Sequence, residues 1–160
     1  MLASAFGLGL LPIAPGSFGA LLGVFLHIGF YLFIPANFFL FSLIAVFFVI
    51  CALHFYLTPW AVLFWQDEDP KHFVLDEVAG YLFVPILFHP LLNILAYSLE
   101  FWKLVAFGFL LFRILDIIKV PPARQIDQKV HNAWGILLDD LVSAIYAVLV
   151  LFVLVKFKLI

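Results

Sequence analysis

Charged side chains are scarce in this chain of 160 residues: only 11% are Asp, Glu, Lys or Arg, whereas 67% are hydrophobic. Soluble domains contain about 25% charged and about 45–50% apolar residues, so the polar surface that would cover a soluble globule is missing. The few basic residues form no run, which excludes the usual signature of nucleic-acid binding. The composition therefore predicts a protein embedded in a membrane.

Cysteine and N-terminal basic residues are also lacking. Cys51 is the single cysteine, so an intramolecular disulfide is excluded, and because it lies in an apolar run we expect a buried, inert thiol. Met1 to Ser4 contain no Lys or Arg, with which a secretory signal peptide would begin, and we expect no such peptide. No internal repeat is visible, and residues 1–160 are predicted to form a single membrane-embedded domain.

Long hydrophobic runs predict an all-α, polytopic helical bundle of about five spans, since a helix needs about 20 residues to cross the hydrocarbon layer. The predicted spans are Phe18–Ile34, Phe38–Leu57, Val78–Tyr97, Trp102–Val120 and Trp134–Phe157. Ahead of them, Phe6–Gly19 is rich in glycine and interrupted by two prolines, which predicts a re-entrant or interfacial segment. Pro59 predicts that the second helix stops or kinks there, and Pro121–Asn132 is predicted to be a polar loop.

The polar loops of such a bundle lie together on one side of the membrane, because consecutive spans alternate in direction. Nine of the ten acidic residues lie on or near the side that holds the loops before the first, third and fifth spans. Five basic residues lie there and three on the other side, a bias that weakly favours a cytoplasmic location.

Two adjacent acid pairs, Asp76–Glu77 and Asp139–Asp140, stand where apolar spans begin. Ionised carboxylates at the edge of a bilayer core are unfavourable unless something compensates their charge. Neighbouring positions on a helix differ by about 100°, so both members of a pair can face inward. Carboxylates from several helices are the ligands that Mg²⁺ prefers, and all four are predicted to bind metal, with one as a candidate general base. Stabilisation of helix N-termini by acidic residues is the structural alternative.

Arg113, Asp116 and Lys119 follow one another at a spacing of three residues, which predicts a stripe along one helix. Arg can bind phosphate through two parallel hydrogen bonds, and Lys supplies a point charge. Asp116 would orient Arg113 or reach a metal, and is a secondary candidate. A local ion network without a ligand is the structural alternative.

Two further polar residues are predicted at helix starts. Ser17 follows Pro15 and Gly16, which predicts a helix N-cap whose free N–H groups would also bind phosphate. Asp69 precedes Pro70, a pair that is typical of a helix start, and is another secondary site candidate.

Three segments together resemble the phosphatidylglycerophosphatase A family of bacteria. They are GLGLLPIAPGSFGALLGV (Gly7–Val24), DPKHFVLDEVAG (Asp69–Gly80), and FRILDIIKVPPARQID followed by WGILLDDL. The resemblance covers nearly the whole chain in order, and only the combination of motifs is specific. It implies an enzyme of the inner membrane that removes the terminal phosphate of phosphatidylglycerophosphate with Mg²⁺.

The match departs from the family pattern around Val120, where a Lys-Pro-aromatic-Pro sequence is usual, and at Asn132–Gly135, where paired glycines are usual. These departures leave a related lipid, such as phosphatidic acid, open as substrate. Attack by water is the expected chemistry, and a phospho-aspartyl intermediate stays open. A proton-coupled carrier and a membrane assembly factor are the alternatives to an enzyme. Against the carrier, the charges crowd one side instead of the midplane, and no inverted repeat is visible.

Overall fold

The computed structural model describes residues 1–95 and 100–160, without the side chains of residues 93–95, and these ranges are helical with no strand. A short 3-10 helix, Ala5–Leu10, comes first. The α-helices are α1 (Pro15–Phe33), α2 (Ala36–Trp65), α3 (Leu75–Leu95), α4 (Phe101–Ile118), α5 (Ala123–Lys129) and α6 (Ala133–Lys156). The predicted all-α helical bundle is confirmed.

Within the described ranges, four helices are long and apolar enough to cross a membrane: α1, α2, α3 over Leu75–Leu92, and α6. The fourth predicted span coincides with α4, which has 18 residues but carries three charges, Lys103, Arg113 and Asp116. Because of these charges, α4 is not counted with the four apolar helices. Arg113 and Asp116 belong to the polar site described below. The predicted end of the third span, Tyr97, lies outside the described residues.

The predicted N-cap role of Ser17 is wrong. The helix α1 begins at Pro15, its N-cap is Ala14 in a left-handed conformation (φ 50°), and Ser17 is the third helical residue. Proline has a φ that suits the first helical turn and lacks the N–H that would be unpaired there, so the helix starts three residues earlier than predicted. The predicted broken segment ahead of it consists of the 3-10 helix, with left-handed backbone at Phe6, and a break before Pro15.

Two other expectations concern proline. Of the stop or kink predicted at Pro59, the stop is wrong, because α2 continues to Trp65. Asp69 and Pro70 do not begin a helix: they lie in the loop between α2 and α3, where the Phe73 amide donates to the Pro70 carbonyl at 2.8 Å and closes a turn. Because of this turn, α3 begins at Leu75, and Asp76 and Glu77 lie in its first turn.

The seven-residue helix α5 lies inside the segment predicted as a polar loop. Its sequence, ARQIDQK, consists mostly of good helix formers, and this composition is the signal for a helix there. A helix this short is not stable alone, and α5 is held by packing against α6. It therefore gives the α4–α6 connection a defined shape beside the polar end of the bundle.

The helix α3 lies at the centre of the bundle and packs against α1, α2, α4 and α6. Small residues bring these helices close: a Cβ on Gly80 would meet the Phe112 ring at 2.5 Å and Asp140 Cβ at 3.2 Å. Gly80 therefore makes room for a close neighbour, in the way that small residues do between membrane helices. The central position of α3 carries its acidic first turn into the protein interior.

Candidate active site

A pocket of about 370 Å³ lies at the end of the bundle where α1, α3 and α6 begin and α4 ends. All nine residues singled out in the sequence line it: Ser17, Asp69, Asp76, Glu77, Arg113, Asp116, Lys119, Asp139 and Asp140. A second pocket of about 320 Å³ lies toward the opposite end, around His27 and His89, and no carboxylate is found among its described lining residues. The three segments that carry the family resemblance therefore meet in the first of these pockets.

The centre of this pocket is a group of three carboxylates. Asp76 and Glu77 of α3 and Asp140 of α6 each offer an oxygen within 4.8 Å of the other two. Asp76 Oδ1, Glu77 Oε2 and Asp140 Oδ2 are buried and have no hydrogen-bond partner among the described residues. Buried, unpartnered carboxylates so close together are unfavourable unless a cation compensates them. Their hard oxygen atoms fit a divalent cation such as Mg²⁺.

Asp139, the fourth predicted metal ligand, lies beside this group and has a different partner. Its Oδ2 accepts a hydrogen bond from Lys119 Nζ at 2.6 Å, while its Oδ1 is buried and unpartnered within the described residues. Three of the four predicted ligands thus lie together, whereas the fourth, Asp139, is hydrogen-bonded to Lys119. A metal-binding role for Asp139 stays a prediction.

Arg113 and Asp116 form an ion pair on α4, with Arg113 Nη1 donating to Asp116 Oδ2 at 2.5 Å. Both side chains are largely buried and both line the pocket. Arg113 Nε is buried and has no partner among the described residues. The ion pair fits both the predicted orienting role of Asp116 and the alternative of a local ion network, and the guanidinium keeps further donors for a ligand.

Lys119 lies just beyond α4 as its C-cap, with a left-handed backbone (φ 50°) that takes it off the regular helical stripe. Its Nζ donates to Asp127 Oδ1 at 2.5 Å and to Asp139 Oδ2 at 2.6 Å. Burial acts to lower the pKa of Lys119, but the hydrogen bonds to the two carboxylates outweigh it and the pKa is raised. The ammonium is therefore a permanent positive charge at the edge of the pocket.

Ser17, in the first turn of α1, and Asp69, exposed in the loop between α2 and α3, both line the same pocket. The Ser17 amide donates to the Ala14 carbonyl at 3.0 Å, so this N–H is already used within the helix. A contact from Ser17 to phosphate would therefore have to come from its hydroxyl.

Two residues of this region, Gly16 and Asp127, lie in the quoted motifs but are not singled out there as site residues. Glu77 Oε1 lies in contact with the position that a Cβ on Gly16 would take, and Arg113 Nη2 lies 3.0 Å from it, so the α1 backbone forms a wall of the site. Asp127 binds Lys119 but stands in the segment predicted to be a loop. The glycine-rich sequence before the first span is a signal for Gly16, and Asp127 is the last residue of the segment FRILDIIKVPPARQID, although nothing in that segment indicates its pairing with Lys119.

The formal charges of the pocket favour a cation as its first ligand. Among the described lining residues, six are acidic (Asp69, Asp76, Glu77, Asp116, Asp139 and Asp140) and three are basic (Lys71, Arg113 and Lys119). A bound divalent cation would offset most of this excess and leave the Arg and Lys side chains available for an anion. The arrangement suits a phosphate group that lies between metal and basic side chains.

Apolar helices packed around a buried pocket of acids and bases define an integral membrane protein with a polar active site. The family comparison specifies this class further. The chain belongs to the phosphatidylglycerophosphatase A family, whose model matches residues 1–155. The resemblance seen in its motifs is confirmed, and the chain is a hydrolase of a lipid phosphate monoester. The carrier and the assembly factor are therefore set aside.

Curated relatives cover nearly the whole chain. Phosphatidylglycerophosphatase A of Haemophilus influenzae is 34% identical over 152 residues, which are 95% of this chain and 85% of the relative. The Escherichia coli protein of the same name is 33% identical over 153 residues, 95% of this chain and 80% of its own. A Bacteroides thetaiotaomicron protein with the provisional name phosphatidylinositol-3-phosphatase is 29% identical over 150 residues, 92% of this chain and 87% of its own. No solved structure matches the chain.

Proposed function

We propose that this protein is a Mg²⁺-dependent phosphatidylglycerophosphatase at the cytoplasmic face of a bacterial inner membrane. It would hydrolyse the terminal phosphate of phosphatidylglycerophosphate and give phosphatidylglycerol. The observation that carries the proposal is the group of three carboxylates beside Arg113, two buried and one partly buried, in a pocket at one end of an apolar bundle. The two relatives named phosphatidylglycerophosphatase A support the choice of lipid.

The carboxylates of Asp76, Glu77 and Asp140 would hold the metal, with Asp139 as a fourth ligand. Their buried, unpartnered oxygens support this assignment. When bound, Mg²⁺ supplies positive charge that offsets the charge on the phosphate oxygens and helps to orient the attacking water.

The basic side chains would bind the phosphate. Arg113, held by Asp116, offers two parallel donors to two phosphate oxygens, and Lys119 offers a point charge from the other side. The Ser17 hydroxyl lines the same pocket and would donate to a third oxygen. These donors are in place before the reaction, so they stabilise the charge of the transition state without reorganising.

Hydrolysis would proceed by attack of water on phosphorus. As the oxygen of this water bonds to phosphorus, one carboxylate of the acidic group accepts a proton from the water. The bond between phosphorus and the glycerol oxygen breaks, and the glycerol oxygen takes up the proton that the carboxylate accepted. The products are inorganic phosphate and the lipid alcohol, and the buried site limits access of further water.

A lipid substrate is supported by the wall of the pocket. Ile117 lines the pocket and is 70% exposed on the outer surface of the bundle, which would face lipid tails. A headgroup can therefore enter while the acyl chains stay in the bilayer. Binding of the tails would help to position the phosphate, so a soluble phosphate ester should react much more slowly.

The deciding experiment measures phosphate release by purified protein in mixed micelles with competing lipids. Phosphatidylglycerophosphate should be preferred over phosphatidic acid, and soluble glycerol 3-phosphate should be the poorest substrate. Asp140→Asn serves as the inactive control for contaminating phosphatases. A preference for phosphatidic acid, or equal rates on glycerol 3-phosphate, would contradict the proposed substrate but not the hydrolase class.

A phosphoinositide is the second candidate substrate. The Bacteroides thetaiotaomicron relative, whose name refers to such a lipid, matches this chain over nearly the same length as the other two relatives. Phosphatidylinositol 3-phosphate therefore belongs in the same competition. Both lipids present a phosphate monoester at the membrane surface, so they can compete for the same site. Faster hydrolysis of phosphatidylinositol 3-phosphate than of phosphatidylglycerophosphate would favour this candidate.

A further inference from the structure

Lys119 joins three helical elements through one ammonium group. The residue itself ends α4, Asp127 lies on α5 and Asp139 lies in α6. Lys119 Nζ binds the two carboxylates at 2.5 and 2.6 Å. The position of this cation is therefore determined by two acids on different elements and not by its own flexible side chain alone.

An ammonium group has three N–H donors. Two of those of Lys119 are used by Asp127 and Asp139, and the third remains for a group in the pocket that Lys119 lines. Asp127 is not part of that pocket lining and instead lines a small neighbouring cavity with Glu68 and Asp69. Contact between Asp127 and a substrate in the pocket is therefore not expected, and any effect it has on the reaction passes through Lys119.

The placement of Asp127 is well defined by packing. The helix α5 packs against α6, and Gly135, near the start of α6, is in close contact with the carbonyl oxygen of Val130, next to the end of α5. A side chain at Gly135 would not fit there. The carboxylate of Asp127 is thus carried by a segment that is fixed to the same helix as Asp139.

We infer that Asp127 is a positioning residue for the reaction, an inference that rests on the proposed contact between Lys119 and phosphate. It holds the ammonium away from full pairing with Asp139 and directs the third N–H toward the phosphate. Without Asp127, Asp139 is the remaining carboxylate partner of the ammonium among the described residues, and the ammonium is free to move toward it. The cation then neutralises an acid of the site instead of the phosphate.

The first test compares Asp127→Asn, which removes the charge and keeps the shape, with Asp127→Glu, which keeps the charge. We expect kcat for the lipid to fall about tenfold in Asp127→Asn, the size of one charge-assisted hydrogen bond, with little change in KM. Asp127→Glu should recover part of the loss. Lys129→Gln, an exposed position on the same helix, is the matched control and should behave as the wild type.

Action through Lys119 is tested by a double-mutant cycle with Lys119→Met. Adding Asp127→Asn to Lys119→Met should cause no further loss of kcat. Without substrate, an amine reagent followed by mass spectrometry should modify Lys119 several times faster in Asp127→Asn than in the wild type, because one of its two partners is gone. Thermal unfolding in detergent checks that each variant is folded.

Several outcomes separate this inference from the proposed function. Wild-type kcat in Asp127→Asn, with a clearly lower kcat in Lys119→Met, would overturn the positioning role and leave the proposed function intact. Losses that multiply in the double variant, or unchanged labelling of Lys119, would also overturn it. Full activity of Lys119→Met would overturn the phosphate contact of Lys119 in the proposed function, and this inference with it.

Discussion

Glu77 Oε1 lies in the space that a methyl group on Gly16 would occupy, and Arg113 Nη2 lies 3.0 Å from the same point. A glycine in the first turn of α1 thus brings the helix backbone against one acidic and one basic residue of the site. Glu77, the proposed metal ligand, and Arg113, the proposed phosphate ligand, are therefore both positioned against Gly16. Gly16 is therefore required by the shape of the site and not by the conformation of its own backbone, which is helical.

Replacing Gly16 with Ala is expected to displace Glu77 and Arg113 and to lower kcat about 100-fold, since a shift of about 1 Å can cost that much. Gly29→Ala is the control, because it lies on the same helix and a Cβ there would meet nothing within 4 Å. Alanine is the better helix former, so a loss confined to Gly16→Ala cannot come from helix propensity. Phosphate release and thermal unfolding in detergent are measured together, and equal activity of the two variants would contradict the tight contact.

Removal of divalent metal is expected to abolish phosphate release, and added Mg²⁺ should restore it. The reason is the group of Asp76, Glu77 and Asp140, whose oxygens lie within 4.8 Å of one another and would repel without a cation. Asp140→Gln, which cannot supply a charged ligand, should lack activity at any Mg²⁺ concentration or need far more Mg²⁺. The measurement is the rate as a function of free Mg²⁺, and full activity in excess EDTA would exclude the metal site.

Arg113→Lys is expected to lose activity although it keeps the charge. A lysine cannot offer two parallel donors to phosphate, and kcat/KM should fall about 100-fold, the size of two lost charge-assisted hydrogen bonds. Arg113→Ala would in addition leave Asp116 buried without its partner, so a lower unfolding temperature should accompany its inactivity. Lys103→Ala, whose exposed pair with Glu100 at 3.7 Å lies at the other end of α4, is the control. Near-wild-type activity of Arg113→Lys would exclude a bidentate contact.

The charged residues of this candidate site could be predicted because charged side chains are easily recognised in an apolar sequence. Charged side chains such as Asp76, Asp140 and Arg113 are unfavourable in or beside a membrane span, so their presence there indicates a functional site. The helices that carry them could be recognised from hydrophobic length alone. Local details were less predictable: Ser17 and Asp69 were both expected at helix starts, whereas Pro15 begins α1 and a turn at Pro70 delays α3.

Contacts between particular residues of distant elements could not be predicted, although their location on one side of the bundle could. The contact of Gly16 with Glu77 depends on how closely α1 and α3 pack, and periodicity carries no information about that distance. The pairing of Lys119 with Asp127 depends on a short helix whose stability comes from its neighbour α6. A sequence pattern reports the faces of single helices, whereas both contacts arise from the packing of several.

The orientation of the bundle is expected to place both long polar connections in the cytoplasm. Lys71, in the α2–α3 loop, lines the pocket, and Arg124 lies exposed on α5 in the α4–α6 connection, so both stand at the end of the bundle that holds the acids. In a Cys51→Ala background, Lys71→Cys and Arg124→Cys should react with a membrane-impermeant thiol reagent in inverted vesicles but not in intact cells. Lys158→Cys, exposed beyond the other end of α6, should show the opposite pattern. Because α3, α4 and α6 each contribute side chains to one pocket, labelling of Lys71→Cys and Arg124→Cys from opposite sides would contradict the shared site and not only its orientation.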